Sequence, residues 1–352
     1  MREYSLNPRA ILGIRVPVAV GMATILPTAA SAHVKWFCSF DVAGQPRGLE
    51  NVLCPNFEQL TGLALAVLLA GCVLEGTALG AAMLRALDRV TSGLRVDTET
   101  LVRATCGFFF VALWTTGGIL LTPELKTASP AIPWLQLAIA AGLIWRRTLP
   151  LSALGIVGLF GVAVRDYGAF HLMDYPIFLG VAVYLALTGF GRTTFLGARP
   201  LDIVRWAAGV TLMWASIEKW AYPEWTFPLF ISHPAMNMGF DIEFFMRAAG
   251  VIEFTLAFAL MWTPLVRRAA AIILTGMFVS AVLEFGKIDA MGHSVIIVVL
   301  LAIAADDTVT NVRRWNWWRP LLAPALGYGI ALAGFLFAYY AAHDLLFGTT
   351  IL

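Results

Sequence analysis

The sequence predicts an all-α polytopic membrane protein of ten or eleven transmembrane helices, with two tandem parallel four-helix repeats. Three observations lead there. First, 59% of the 352 residues are hydrophobic and 13% are charged, with a mean hydropathy of +0.79. A soluble domain carries roughly 25% charged residues, so this chain cannot clothe itself in a polar surface. Second, the apolar runs are long and do not alternate. In hydrocarbon every backbone polar group must be satisfied internally, which leaves helices or closed barrels, and runs without alternation exclude a barrel. Third, the chain aligns with itself without a gap. Phe160 to Tyr175 matches Phe278 to His293 and pairs Asp166 with Glu284, Tyr167 with Phe285, Gly168 with Gly286 and Met173 with Met291.

Apolar stretches of about 17–25 residues mark spans. They fall near 16–32, 59–83, 102–122, 132–146, 149–165, 172–190, 203–220, 247–264, 268–285, 291–306 and 320–342. Lys and Arg are retained on the cytoplasmic side. Seventeen of the 24 lie in the N-terminus and alternate loops, including Arg85, Arg89, Arg95, Arg146, Arg147, Arg199, Arg267 and Arg268. The remaining seven lie at or near the other side, which places the turns at 165–175 and 284–293 outside. This charge distribution describes a multi-pass protein of a bacterial-type inner membrane, with the lipid bilayer as its first partner and no nucleic acid.

The N-terminus has two readings. Basic residues, a short apolar stretch and Thr28-Ala-Ala-Ser-Ala32 resemble a secretory signal cleaved before His33, or the stretch stays as a first span. Either way residues 33–57 are outside, where Cys38 and Cys54 are expected to form one disulfide. Cys72 and Cys106 sit in apolar runs and read as packing residues.

The domain division is 1–100 for the N-terminal helix, outer loop and second helix, 101–200 for the first module, 201–310 for the second, and 311–352 for the last helix. Leu101-Val-Arg103 and Ile203-Val-Arg205 open the two modules, followed by Gly107 and Gly209. Arg146-Arg147 and Arg267-Arg268 occupy the matching inner turns. Four spans is an even number, so the copies insert in parallel. The second copy carries an outer insertion, Tyr222 to Asp241, whose aromatics and prolines suggest a re-entrant or interfacial loop. Trp315, Trp317 and Trp318 before the last helix read as interfacial anchors.

Ionisable residues inside spans are costly and face a cavity or a partner. The second module gathers Glu218, Lys219, Glu253, Glu284, Lys287, Asp289 and His293 at its outer half, with His233 in the insertion. Glu253, Glu284 and His293 are the candidate catalytic groups, expected to converge on one cavity beside Lys219. Glu218, Lys219, Lys287 and His233 are candidate ligand contacts. The first module has a poorer set: Arg165, Asp166, His171 and Asp174 in the matching turn and Gln136 near the Glu253 position. One active copy and one structural copy follow. In the competing structural reading, Lys219 and Lys287 simply neutralise Glu253 and Glu284.

Arg205, Gly209, Ser216-Ile-Glu-Lys219, Glu253 and the Arg267-Arg268 turn give the second module a further character. Over about 100 residues it resembles the DoxX-like family of four-helix membrane proteins. That resemblance implies association with quinone-linked sulfur oxidation and membrane redox complexes. The insertion at 222–243 and the N-terminal unit depart from that family's compact form.

Three functions remain. A redox subunit would bind a quinone using His293, Glu284 and Glu253 with Trp214, Trp220 and Phe285 as apolar walls. A metal-handling or small-solute transporter would use His233 and His293 with Glu218, Glu253 and Glu284 as copper-type ligands, although no H-x-x-x-H or C-x-x-C spacing occurs. An assembly subunit would dock a periplasmic or membrane partner on its polar turns. No Walker loop, Gly-rich dinucleotide loop or catalytic Ser-His pair is present.

Overall fold

The structure, a computed structural model, describes residues 34–306 and 319–349. The signal or first span, His33 and the 315–318 tryptophans lie outside the described residues. Within them the chain is helical, with two isolated bridges and no strand. The longer helices are α1 (Pro55–Glu75), α2 (Ala78–Val96), α3 (Thr98–Thr116), α4 (Ala131–Gly142), α5 (Leu149–Tyr167), α6 (Pro176–Gly189), α7 (Pro200–Ala221), α8 (Ile242–Ala259), α9 (Pro264–Phe285), α10 (Lys287–Ala305) and α11 (Arg319–Phe347). Proline in the first turn opens α1, α5, α6, α7 and α9, where its missing N–H costs nothing.

Five segments are long and apolar enough to cross a membrane: α1, Arg146–Tyr167, α9, α10 and Leu321–Phe347. Their outward positions are apolar, as at Leu63, Val67, Leu151, Leu154, Leu283, Leu326, Ile330 and Phe337. This is a membrane protein's surface, since in water such faces would have to be covered. Helices α4 and α6 are apolar but short, and α7 and α8 carry the charges of the candidate site.

Two predicted spans end early. The run at 59–83 breaks after Glu75, where Thr77 accepts a hydrogen bond from the Gly80 amide and starts α2. What the sequence reads as a loop around Arg85, Arg89 and Arg95 is therefore a helix, amphipathic because its arginines share one sequence with Leu79, Met83 and Val90. The run at 102–122 stops at Thr116. Beyond it Leu120 and Leu121 are fully buried without being helical, and Gln136 donates to the carbonyls of Ile119 and Leu120. A buried amide side chain here replaces the missing helical bonds.

Packing follows a cyclic order. Within each set of four, consecutive helices touch: α3 with α4, α4 with α5, α5 with α6, and likewise α7 through α10. Between sets, α6 packs on α7 and α3 on α10, so the first helix of each set meets the last of the other. The aligned Gly168 and Gly286 both end a third helix with positive φ, 84° and 73°, a conformation costly for any residue with a Cβ. Helix α1 lies against α8, α9 and α11, and α2 against α10.

The inner arginines have a structural task. Arg103 donates to the Leu143 and Ile144 carbonyls, Arg146 to Thr188, Arg95 to Ala305 and Arg268 to Ala304. Each cation thus satisfies carbonyls that a helix C-terminus leaves unpaired, at the negative end of its dipole.

The expected disulfide is corrected: Cys38 and Cys54 are free thiols. Cys38 packs with Leu229, Phe230 and Phe245 under the insertion, whereas Cys54 is the N-cap of α1 and lies on the main core. The segment between them is spent spanning the outer surface, so the two thiols end in different apolar clusters. Both should alkylate without prior reduction, Cys38 more slowly because burial raises its thiol pKa and lowers the thiolate fraction. Peptide mass analysis after iodoacetamide treatment reads this directly, and a Cys38–Cys54 cross-linked peptide would contradict it.

Candidate functional site

The site lies where the N-terminal ends of α6, α8 and α10 meet the C-terminal ends of α7 and α9, roofed by the segment that precedes α1. That segment is pinned from several directions. The Arg47 amide donates to the Ala221 carbonyl, and its guanidinium pairs with Glu243 at 2.7 Å and Glu224 at 3.4 Å. Tyr340 and Tyr222 donate to the carbonyls of Arg47 and Gly44. Arg47 also holds the Glu243 carboxyl below its ordinary pKa, chiefly through their hydrogen bond.

Upstream, the short 3-10 turn Val34–Trp36 drives Lys35 into the bundle. Its ammonium donates to Asp174 at 2.5 Å and to Glu218 at 2.6 Å. Lys35 is 3% exposed and Asp174 1%. Burial by itself would lower the ammonium's pKa, but the Asp174 and Glu218 carboxylates outweigh it and the net displacement is upward. Charge-assisted bonds in a low dielectric are strong in this way. The rings of Phe40 and Trp225 complete the surround, 5.6 and 5.7 Å from the ammonium.

Next to Lys35, Trp36 lies on His293 with ring centroids 4.6 Å apart, and Phe278 flanks the imidazole at the same separation. Gly292 makes this possible: a Cβ there would fall 2.0 Å from the Trp36 ring. His293 Nδ1 is 2.8 Å from Asp289 Oδ2. With the carboxylate accepting from Nδ1–H, the imidazole presents Nε2 as its basic nitrogen. A third pair joins Lys219 to Glu253 at 2.8 Å. Glu253 stands eleven residues into α8, about 16 Å along the helix, and at 5% exposure it needs that partner.

These groups line one cavity of about 80 Å³, with Lys35, Asp174, Glu218, Lys219, Glu253 and His293 on its polar side and Trp36, Phe178, Leu212, Trp225, Met246, Phe278 and Ile296 on its apolar side. Two ammonium groups face four carboxylates, counting Asp289 behind His293. Asp174 Oδ1 and Asp289 Oδ1 are buried without a hydrogen-bond partner.

Of the residues singled out from sequence, the structure brings Glu218, Lys219, Glu253 and His293 together. Glu284 and Lys287 are exposed at the outer turn and do not line the cavity. His233 is half-buried, against Ser232 and the Phe285 ring. Among the suggested walls, Trp214 and Trp220 are buried in packing, Trp214 on Phe170 and Tyr339, and Trp220 on Phe57 and Phe254. The first module is not merely structural, because it supplies Asp174, Tyr175 and Phe178 to the same cavity. Beyond Tyr175 its polar cluster continues: the phenol donates to Glu124, which also accepts from Thr122 at 2.9 Å and stands 3.7 Å from His171.

Sequence reasoning missed Lys35 and gave Asp174 to the lesser copy. The available signal was a lone lysine within an apolar-aromatic stretch, Val34-Lys-Trp-Phe37. Among the described residues no three His, Cys, Asp or Glu side chains gather as metal ligands. Compared with protein-family models, curated proteins and solved structures, the chain matches none.

Proposed function

We propose that this is an integral membrane protein whose outer cavity binds the hydroxylated head of a lipid-soluble ring, of the quinol class, and accepts its protons. The observation that carries the reading is the unpartnered carboxylate oxygen Asp174 Oδ1 in the wall of an aromatic-lined cavity, with a second, Asp289 Oδ1, buried behind the cavity-lining His293. Buried acceptors without partners are costly, and a ligand that satisfies them must bring hydrogen-bond donors, as the hydroxyls of a hydroxylated ring do. That favours the reduced, hydroxylated ring over its carbonyl form. His293, held through Nδ1 by Asp289, lines the cavity and is the proton acceptor of this reading. Lys219 and Glu253 set the field on the opposite wall. A quinol yields protons on oxidation, so the reading also implies an electron-accepting partner at the outer face.

The finer architecture belongs to the same proposal: ten or eleven spans, two parallel modules related by a pseudo-two-fold axis along the membrane normal, and a bacterial-type inner membrane with the cavity outward. Reciprocal packing of α6 on α7 and α3 on α10 supports it, as does the resemblance of the second module to DoxX-like proteins. Copper handling receives no such support, since Glu218 and Glu253 are paired with lysines and Glu284 does not line the cavity.

A ring as small as benzene fills a cavity of about 150 Å³, so full entry requires Trp36 or Trp225 to move. Titrating the purified protein with duroquinol should therefore quench tryptophan fluorescence saturably. His293→Ala should weaken binding about 10-fold or more, the scale of one lost hydrogen bond to a charged or polarised group. Absence of saturable quenching in the wild-type protein refutes the proposal.

A further inference from the structure

We propose that the Asp174–Glu218 pair is a binding site for a primary ammonium group and that Lys35 is its tethered, exchangeable occupant. The two carboxylates come from different helical sets, one just before α6 and one near the end of α7, yet converge on a single nitrogen at 2.5 and 2.6 Å. Both side chains are buried, with 0% and 10% exposure. Carboxylates so placed repel each other, and when both are ionised they need a cation between them.

What is unusual is where the cation comes from. It rides on the outer segment, through a turn of three residues, rather than on a helix of the bundle. The side chains next to it hold that turn by ring contacts, Trp36 on His293 and Phe37 on Phe285. The socket, by contrast, rests on the bundle, with Glu218 on α7 and Asp174 in the turn that leads into α6. Lys35 cannot withdraw and leave the carboxylates bare, so withdrawal is coupled to the arrival of another cation.

The lining selects the class of that cation. The 2.5 and 2.6 Å separations fall short of the roughly 2.7–2.9 Å usual for charge-assisted N–H···O bonds, so the two carboxylates close tightly on one nitrogen, and Asp174 Oδ1 is buried without a partner. Trp225 at 5.7 Å, outside the displaced segment, gives a π face that favours an organic ammonium ion. The apolar residues of the cavity then receive its alkyl stem. The site shares Asp174 with the quinol reading but does not involve His293, and an alkylammonium ion, which has no hydroxyl or ring, tests it separately.

Propylammonium carries the atoms that Lys35→Ala removes, which makes it the probe. Lys35→Ala should melt below the wild-type protein in detergent. Propylammonium chloride should raise its melting temperature by about 2–4 °C, the scale of roughly 1 kcal/mol of ligand stabilisation, while sodium chloride and 1-propanol do not. The double variant Lys35→Ala/Asp174→Asn should not respond. In the wild-type protein, propylammonium should speed backbone deuterium uptake over residues 34–40 as Lys35 is displaced. An equal response of the single and double variants, or unchanged uptake over 34–40, overturns the proposal. If Lys35→Ala yields no folded protein, the wild-type uptake measurement decides alone.

Discussion

Lys219→Met should destabilise the protein by about 3–5 kcal/mol, the cost of stranding a buried charge when its partner is removed. The stranded group is Glu253, 5% exposed, deep in α8 and 2.8 Å from the lysine. Glu253→Leu should cost a similar amount by stranding the ammonium. The double variant Lys219→Met/Glu253→Leu should recover most of the loss, since apolar pairs of similar volume replace buried ion pairs at little net cost. Denaturation of all four proteins in one detergent measures the cycle. Ligand binding then separates the two meanings of the pair. If it belongs to the site, the recovered double variant stays deficient in duroquinol binding. If it is scaffolding, the double variant binds as the wild-type protein does, and the role assigned to this wall of the cavity fails.

The second large effect is expected at the opposite end of the molecule. Arg268 is 1% exposed and donates to three different groups: Asp88 at 2.6 Å, Thr91 at 2.9 Å and the Ala304 carbonyl at 2.8 Å. Two of these partners lie on α2 and the third at the C-terminal end of α10. Arg268→Ala therefore removes the side chain that fastens α2 to the bundle and leaves a helix-end carbonyl without its cation. A loss of about 1–3 kcal/mol follows from leaving the Ala304 carbonyl without its donor, with little from the ion pair, because Asp88 is 43% exposed and water can solvate it. Local consequences should exceed the global one. Tryptic cleavage at Arg85 and Arg89 should accelerate more than cleavage in the outer loops, because only α2 loses its anchor. Arg268→Lys should restore the ion pair but not the forked contact to Thr91 and Ala304, since a lysine has no planar fork. Uniform acceleration across the chain would show that Arg268 stabilises the whole core instead.

The two predictions also mark how unevenly the sequence disclosed this protein. Glu253 was legible because it is a carboxylate in an apolar helix, and such a group must find a partner or a cavity. Lys219 and His293 were legible for the same reason. The glycines Gly168 and Gly286 were visible as an aligned pair, and each does end a helix at positive φ. Glu284 had equal standing in the sequence, yet it is exposed. At a helix end a few degrees of rotation turn a side chain from the bundle to solvent, and residue type does not fix that rotation.

Composition and the positions of polar residues along apolar runs determined the helical membrane character and the outer grouping of charge, because hydrocarbon tolerates few alternatives. Both are properties of single segments meeting one solvent. Tertiary structure alone decided which charges meet. Lys35 reaches Asp174 across 139 residues and Glu218 across 183, Trp36 finds the notch at Gly292, and Cys38 is carried away from Cys54 into another cluster. These pairings depend on how the outer segment crosses the ends of α6, α7 and α10. That path is set by shape and by many weak contacts at once, and no local pattern in the chain encodes it.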